Sequence, residues 1–118
     1  MNPVNNYSCN ITFVCSNNPE KNDYVDLITE WIRSVALRAL FNAESPAKNP
    51  ALRRLLEAGG EKIPDDHGSG LALHADFDSL EAFRQWHEVF LLPVLGEFSN
   101  KFGFETPYFV TLLENLPL

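Results

Sequence analysis

In LALHADF, residues 71–77, a histidine and an aspartate stand two positions apart. A β-strand alternates its side chains between two faces, so His74 and Asp76 share one face with Ala72, while Leu71, Leu73, Ala75 and Phe77 occupy the other. A carboxylate beside an imidazole orients its proton, which is one ingredient of general base catalysis. If the strand that opens the chain lies next to this one in a sheet, Asn10 and Thr12 join the pair on the same face. No serine or cysteine nucleophile accompanies them in a sequence signature. The plain alternative is a solvated or interface-polar sheet face.

A second histidine lies in FRQWHEVFLLPVL, residues 83–95. At about 100° per residue, Leu80, Phe83, Phe90, Leu91, Val94 and Phe98 form one apolar stripe, with His87 near its middle and Trp86 at its edge. Pro93 has no N–H for the carbonyl of Val89, so a kink and a freed polar backbone atom are expected near His87. His87 then reads either as a buried neutral histidine bonded to backbone or tyrosine, or as a ligand-contacting group, with Trp86 beside it. Asp65, Asp66 and His67 are three potential metal ligands in a row, but adjacent residues seldom converge on one ion, and GGEKIP and GSG around them mark a loop. HGSG precedes a strand and does not open a helix, so it is no phosphate loop. No metal or cofactor is expected.

Length and charge narrow the classes further. A chain of 118 residues with 9 basic and 16 acidic side chains carries a formal charge of -7. That field repels phosphate, so nucleic acid and anionic membrane surfaces are not expected partners. MNPVNNYSCN has no basic region and no apolar run of signal or membrane length, which makes the cytoplasm the expected compartment. Cys9 and Cys15 lie on one extended segment about 20 Å apart and cannot bridge. They read as small buried hydrophobes in a reducing cell. NYS and NIT match the glycosylation pattern, which is without consequence absent a secretory route.

These residues need elements to hold them. Tyr7, Cys9, Ile11, Phe13 and Cys15 alternate with Ser8, Asn10, Thr12 and Val14, the period of a half-buried strand. SNNPEKND offers Asn18, Pro19 or Asp23 to start a helix. Val25, Ile28, Ile32, Val35, Ala36 and Ala39 then share one helical face, with Trp31 beside it. ALRRLLEA, residues 51–58, is built of helix formers. Residues 59–70 are a long polar connector before the LALHADF strand. Asp78 with Glu81 reads as the capping box of a second helix that runs to about Lys101 and stops at Gly103. TPYFVTLLE, residues 106–114, is a final strand, apolar on both faces. A βαβ crossover needs a strand after the first helix, so residues 51–58 are taken as extended against their local propensity. The order becomes βαββαβ, an α+β ferredoxin-like domain over residues 1–118 with one four-stranded antiparallel sheet and both helices on one face; residues 1–6 are a tail.

YSCNITF, NPALRRLL, GSGLALHADF, RQWHEVF and KFGFETPYFVTLLE, in this order and spacing, resemble an uncharacterised domain-of-unknown-function family of short bacterial proteins related to the dimeric α/β-barrel proteins. The resemblance spans most of the chain. It implies the ferredoxin-like fold, supports the strand at residues 51–58 and implies pairing of two copies; it implies no activity. EWIRSVALRALF lacks the His-Ile-Pro step expected of some relatives, and residues 59–68 look like an added loop. One set of helices covers only one face of the sheet, so a second subunit is expected on the other. Two functional readings follow. One is a cytoplasmic homodimer that is non-catalytic or binds a small ligand. The other, by analogy of fold alone, is a small cofactor-independent enzyme with His87 or the His74 and Asp76 pair as base.

Overall fold

Alternation along YSCNITFV produces β1, Tyr7–Val14, whose odd positions from Cys9 onward are buried and whose even positions mostly are not. The computed structural model describes residues 6–15, 24–61 and 70–118. The proposed caps Asn18, Pro19 and Asp23 and the acidic loop residues Asp65, Asp66 and His67 lie outside them. Three further strands complete the sheet: β2, Lys48–Arg54; β3, Gly70–Phe77; and β4, Tyr108–Glu114. Their order is β2-β3-β1-β4, and every neighbouring pair is antiparallel. With a helix between β1 and β2 and another between β3 and β4, this is the βαββαβ ferredoxin-like arrangement.

Residues 51–58 are not helical, but β2 is displaced from the expected span. It starts at Lys48, ends at Arg54, and gives way to a turn at Gly60, whose φ of 90° favours glycine. Its register against β3 shifts between Lys48 and Ala51, at Asn49, which has a positive φ of 55° and precedes Pro50. Proline has no ladder N–H to offer, and an edge strand with a bulge is where the sheet tolerates it.

Both helices contain a π-turn, and both turns re-phase the buried face. The first helix comprises Tyr24–Trp31, the π-turn Ile32–Ala36 and Leu37–Leu40. Its buried residues are Val25, Ile28, Trp31, Ile32, Ala36 and Leu40, while Val35, expected inside, is 39% exposed. The wider turn adds a residue, so the stripe advances from 32 to 36 to 40 and leaves Val35 outside. The second helix comprises Leu80–Trp86, the π-turn His87–Leu91 and Leu92–Phe102. Leu92 N–H bonds to the carbonyl of His87, five residues back, one position before Pro93. The irregularity expected from proline is therefore an extra residue in the turn.

The ends of the second helix are closed locally. Ser79, not Asp78, caps the second helix: its hydroxyl accepts from Ala82 N–H at 3.1 Å, because the chain stays extended through Ser79 and turns helical at Leu80. Asp78 instead meets the Lys48 ammonium at 2.6 Å on the surface. At the other end Gly103, with φ 98°, donates its N–H to Ser99 O, as the glycine stop requires.

Between the helices and the sheet lies the core. Cys9, Ile11, Phe13, Leu71, Leu73, Ala75 and Phe77 supply the sheet side; Ile28, Ile32, Trp86, Leu91 and Phe98 supply the helix side. Aromatic rings join the layers, with Phe13 to Phe98 at 4.8 Å and Phe77 to Trp86 at 5.0 Å between centroids.

Candidate functional site

Strand register brings the polar residues together on the face away from the helices. Ser8 lies opposite Asp76, Asn10 opposite His74, and Thr12 opposite Ala72. On the far side of β3, Ala51 stands opposite His74. On the far side of β1, Thr111 stands opposite Asn10 and Phe109 opposite Thr12. Asn10 and Thr12 are thus on the face and rungs expected of them, half-buried beside the pair.

His74 Nε2 and Asp76 Oδ1 are 2.7 Å apart, with side chains 18% and 15% exposed. Three donors converge on the carboxylate. Ser8 Oγ donates to Oδ1 at 2.7 Å, Asn49 Nδ2 donates to Oδ2 at 3.0 Å, and the imidazole supplies the third. Asn115 Nδ2 donates in turn to Ser8 Oγ at 3.1 Å. Burial pushes the Asp76 carboxyl up, but the hydrogen bonds from Asn49 and Ser8, with the charge and hydrogen bond of His74, outweigh it and hold it below its ordinary value of 3.8. Asp76 is therefore an anion near neutral pH and an acceptor only, so the short contact places the proton on His74 Nε2. In the neutral ring that leaves a lone pair on Nδ1. Among the described residues Nδ1 has no hydrogen-bond partner, although it is shielded from solvent.

Ser8, Asn49 and Asn115 were not among the residues singled out from the sequence. Ser8 was within reach, since one more rung of the register that pairs Asn10 with His74 places it on Asp76. Asn49 is aimed at the carboxylate by the bulge before Pro50, which a strand starting at Ala51 does not contain. Asn115 follows the last strand, where no periodicity speaks.

His87 and Trp86 exchange the roles expected of them. Trp86 is completely buried at the centre of the helix face, and its Nε1 donates to Leu40 O at 2.9 Å, tying the second helix to the end of the first. His87 sits half-buried at the flank, its ring 5.7 Å from that of Phe83. The π-turn carries the buried face from Trp86 to Leu91, past His87. Neither residue shares a face with the His74 and Asp76 pair.

Cys9 and Cys15 are buried, and burial pushes the Cys9 thiol up to about 12, which keeps it protonated and non-nucleophilic. Among the described residues, no group of three or more His, Cys, Asp or Glu side chains is placed to hold a metal ion, and no helix is long and apolar enough to cross a membrane.

No protein-family model matches the chain, and no curated protein matches it significantly. Solved structures do match over nearly the whole length. An EthD-family protein of Bacillus halodurans is 12% identical, covers 93% of this chain and 99% of its own, and superposes with a TM-score of 0.62. A dimeric ferredoxin-like protein of unknown function from Thermobifida fusca is 16% identical, with coverages of 98% and 96% and a TM-score of 0.57. A hypothetical Arabidopsis thaliana protein is 17% identical, with coverages of 100% and 96% and a TM-score of 0.51. At these identities the likeness is one of fold, and it agrees with the ferredoxin-like topology read from the strands.

Proposed function

We propose that the protein is a cytoplasmic homodimer that binds a small molecule on the open face of its sheet, with His74 as the group that receives the ligand's O–H or N–H. The observation that carries this reading is the lone Nδ1. A shielded acceptor left without a partner costs about 1–3 kcal/mol and calls for a reason. Here the other ring nitrogen is held by a carboxylate that is itself held by Ser8 and Asn49, so the ring is oriented with its acceptor unused. Asn10, directly across the ladder on the same face, stands beside the imidazole where a ligand would meet it.

Pairing of two copies is supported by the face itself. Phe109 is 58% and Leu113 45% exposed on the same side as His74, a combination that a second sheet would cover. One structural neighbour is described as dimeric, which favours the same arrangement. The acidic net charge of -7 speaks for a neutral or cationic small molecule over nucleic acid, and the burial of both cysteines fits a reducing compartment. The alternative of a cofactor-independent enzyme uses the same geometry: an imidazole oriented by an ionised aspartate is equipped to take a proton from carbon or oxygen.

A thermal-shift screen of small phenols, amides and hydroxy acids against the wild type and His74→Phe tests binding. Uncharged compounds that stabilise the wild type should leave His74→Phe unmoved; equal shifts in both proteins by every such compound would refute the role of His74. For any such compound, loss of its C–H signals by NMR in heavy water, dependent on His74, distinguishes proton abstraction from binding alone.

A further inference from the structure

On the helix side of the sheet, at its β2 edge, a cleft of about 280 Å³ opens between β2 and the first helix. Asp26, Thr29 and Arg33 line it from the helix, at spacings that put them on one side, and Leu52, Arg53 and Arg54 line it from the strand. Two of the five arginines in an acidic chain, Arg33 and Arg54, face each other here across one aspartate, while Arg53, opposite Ala72 in the ladder, projects to the open face. The local balance is one net positive charge where the whole molecule is negative.

Arg54 is the unusual member. Its register partner is Leu71, and the next inward position on its strand, Leu52, pairs with Leu73. It therefore projects towards the core side, where the strand otherwise places leucine. Its stem is half-buried and its Nε–H is shielded from solvent without a hydrogen-bond partner among the described residues. Guanidinium stays charged at any physiological pH and offers its donors in a fixed fork that matches two oxygens of one anion. Thr29 adds no donor, since its hydroxyl already donates to Val25 O at 2.7 Å. Among the described residues lining the cleft, the Asp26 carboxylate is the one acidic group and offsets one of the two guanidinium charges.

We propose that this cleft binds a compact oxyanion, a carboxylate or a phosphate monoester, between the guanidinium groups of Arg54 and Arg33. The site is separate from the His74 face, which lies on the other side of the sheet, and stands or falls independently of it.

Titration of the ¹⁵N-labelled protein with inorganic phosphate and, separately, with succinate, each at matched ionic strength against chloride, tests the proposal through the Arg54 Nε–H resonance and the melting temperature. A saturable shift with a dissociation constant near or below about 1 mM is expected for at least one of the two. Phosphate alone would assign a phosphate ester to the cleft, and succinate alone a carboxylate. Arg54→Met, which keeps the stem, and Arg33→Gln, at an exposed position, should each weaken the binding at least about tenfold, while Arg38→Gln on the same helix should not. No saturation by either anion below roughly 10 mM, or unchanged binding in both Arg54→Met and Arg33→Gln, would overturn it.

Discussion

The two faces of the same sheet are one residue out of phase and behave as different materials. On the helix side, Cys9, Ile11, Phe13, Leu71, Leu73, Ala75 and Phe77 are all closed off from solvent, and the aromatic rings of the helices pack onto them. On the open side, the intervening residues Ser8, Asn10, Thr12, His74 and Asp76 are small or polar, hydrogen bonds join Ser8, Asp76 and His74, and apolar Phe109 and Leu113 stand at the side. The first face holds the fold together by area removed from water. The second contributes little area, and its carboxylate network orients one imidazole. The two histidines among the described residues follow the same division: His87, on a helix, has an aromatic neighbour, whereas His74, on the open face, has an aspartate with its own donors.

If that division is real, damage to the closed face should appear as lost stability and damage to the open face as lost assembly or binding. Trp86→Ala should have the largest effect, about 3–5 kcal/mol by urea denaturation, because it empties a fully buried site and frees the Leu40 carbonyl from its indole donor. Phe109→Asp should leave the melting of the subunit nearly unchanged while raising the dimer dissociation constant by about a hundredfold, roughly 2.7 kcal/mol, as read by light scattering against a wild-type mass of twice 13.3 kDa. Leu27→Asp, 52% exposed on the first helix, should not. A monomeric wild type at micromolar concentration would break the comparison at that point.

Asp76→Asn should destabilise by about 1–2 kcal/mol at pH 7, since Ser8, Asn49 and His74 all donate to the carboxylate. Its pH dependence has a definite sign. The folded carboxyl titrates below its ordinary 3.8, so its contribution is present above that value and is lost as pH falls through the lower folded one. The gap between wild type and Asp76→Asn should therefore hold from about pH 7 down towards 3.8 and narrow progressively on acidification below it. A gap that stays constant below 3.8 would deny the carboxylate its role. The smallest effect is expected for His87→Leu, at most about 1 kcal/mol either way, because the ring is half-buried at the flank of the helix.

Topology and the inward and outward assignment of β1 and β3 were legible in the sequence because a period of two survives any local detail. The placement of His74, Asp76, Asn10 and Thr12 on one face follows from it. The helices were harder. A π-turn shifts every later residue around the axis, and a stripe drawn at constant pitch then exchanges Trp86 with His87 and puts Val35 inside. Pro93 gave notice of an irregularity in the second helix but not of its kind; the first helix has no such marker. The start of β2 was missed because Asn49 and Pro50 read as loop residues, when together they form the bulge that supplies a donor to Asp76. Ser79 displaced Asp78 as cap for a related reason: both are good caps, and only the last extended residue decides between them.

The most direct test of the open face as a binding face is the tautomer of His74 in the ligand-free protein, read at neutral pH from the long-range ¹H–¹⁵N correlation spectrum of the imidazole. The expected pattern has the proton on Nε2, held by Asp76, and a bare Nδ1. A proton on Nδ1, whether alone or with Nε2 also protonated, would leave the ring no acceptor to offer and would contradict the assignment of His74 as the group that receives a ligand.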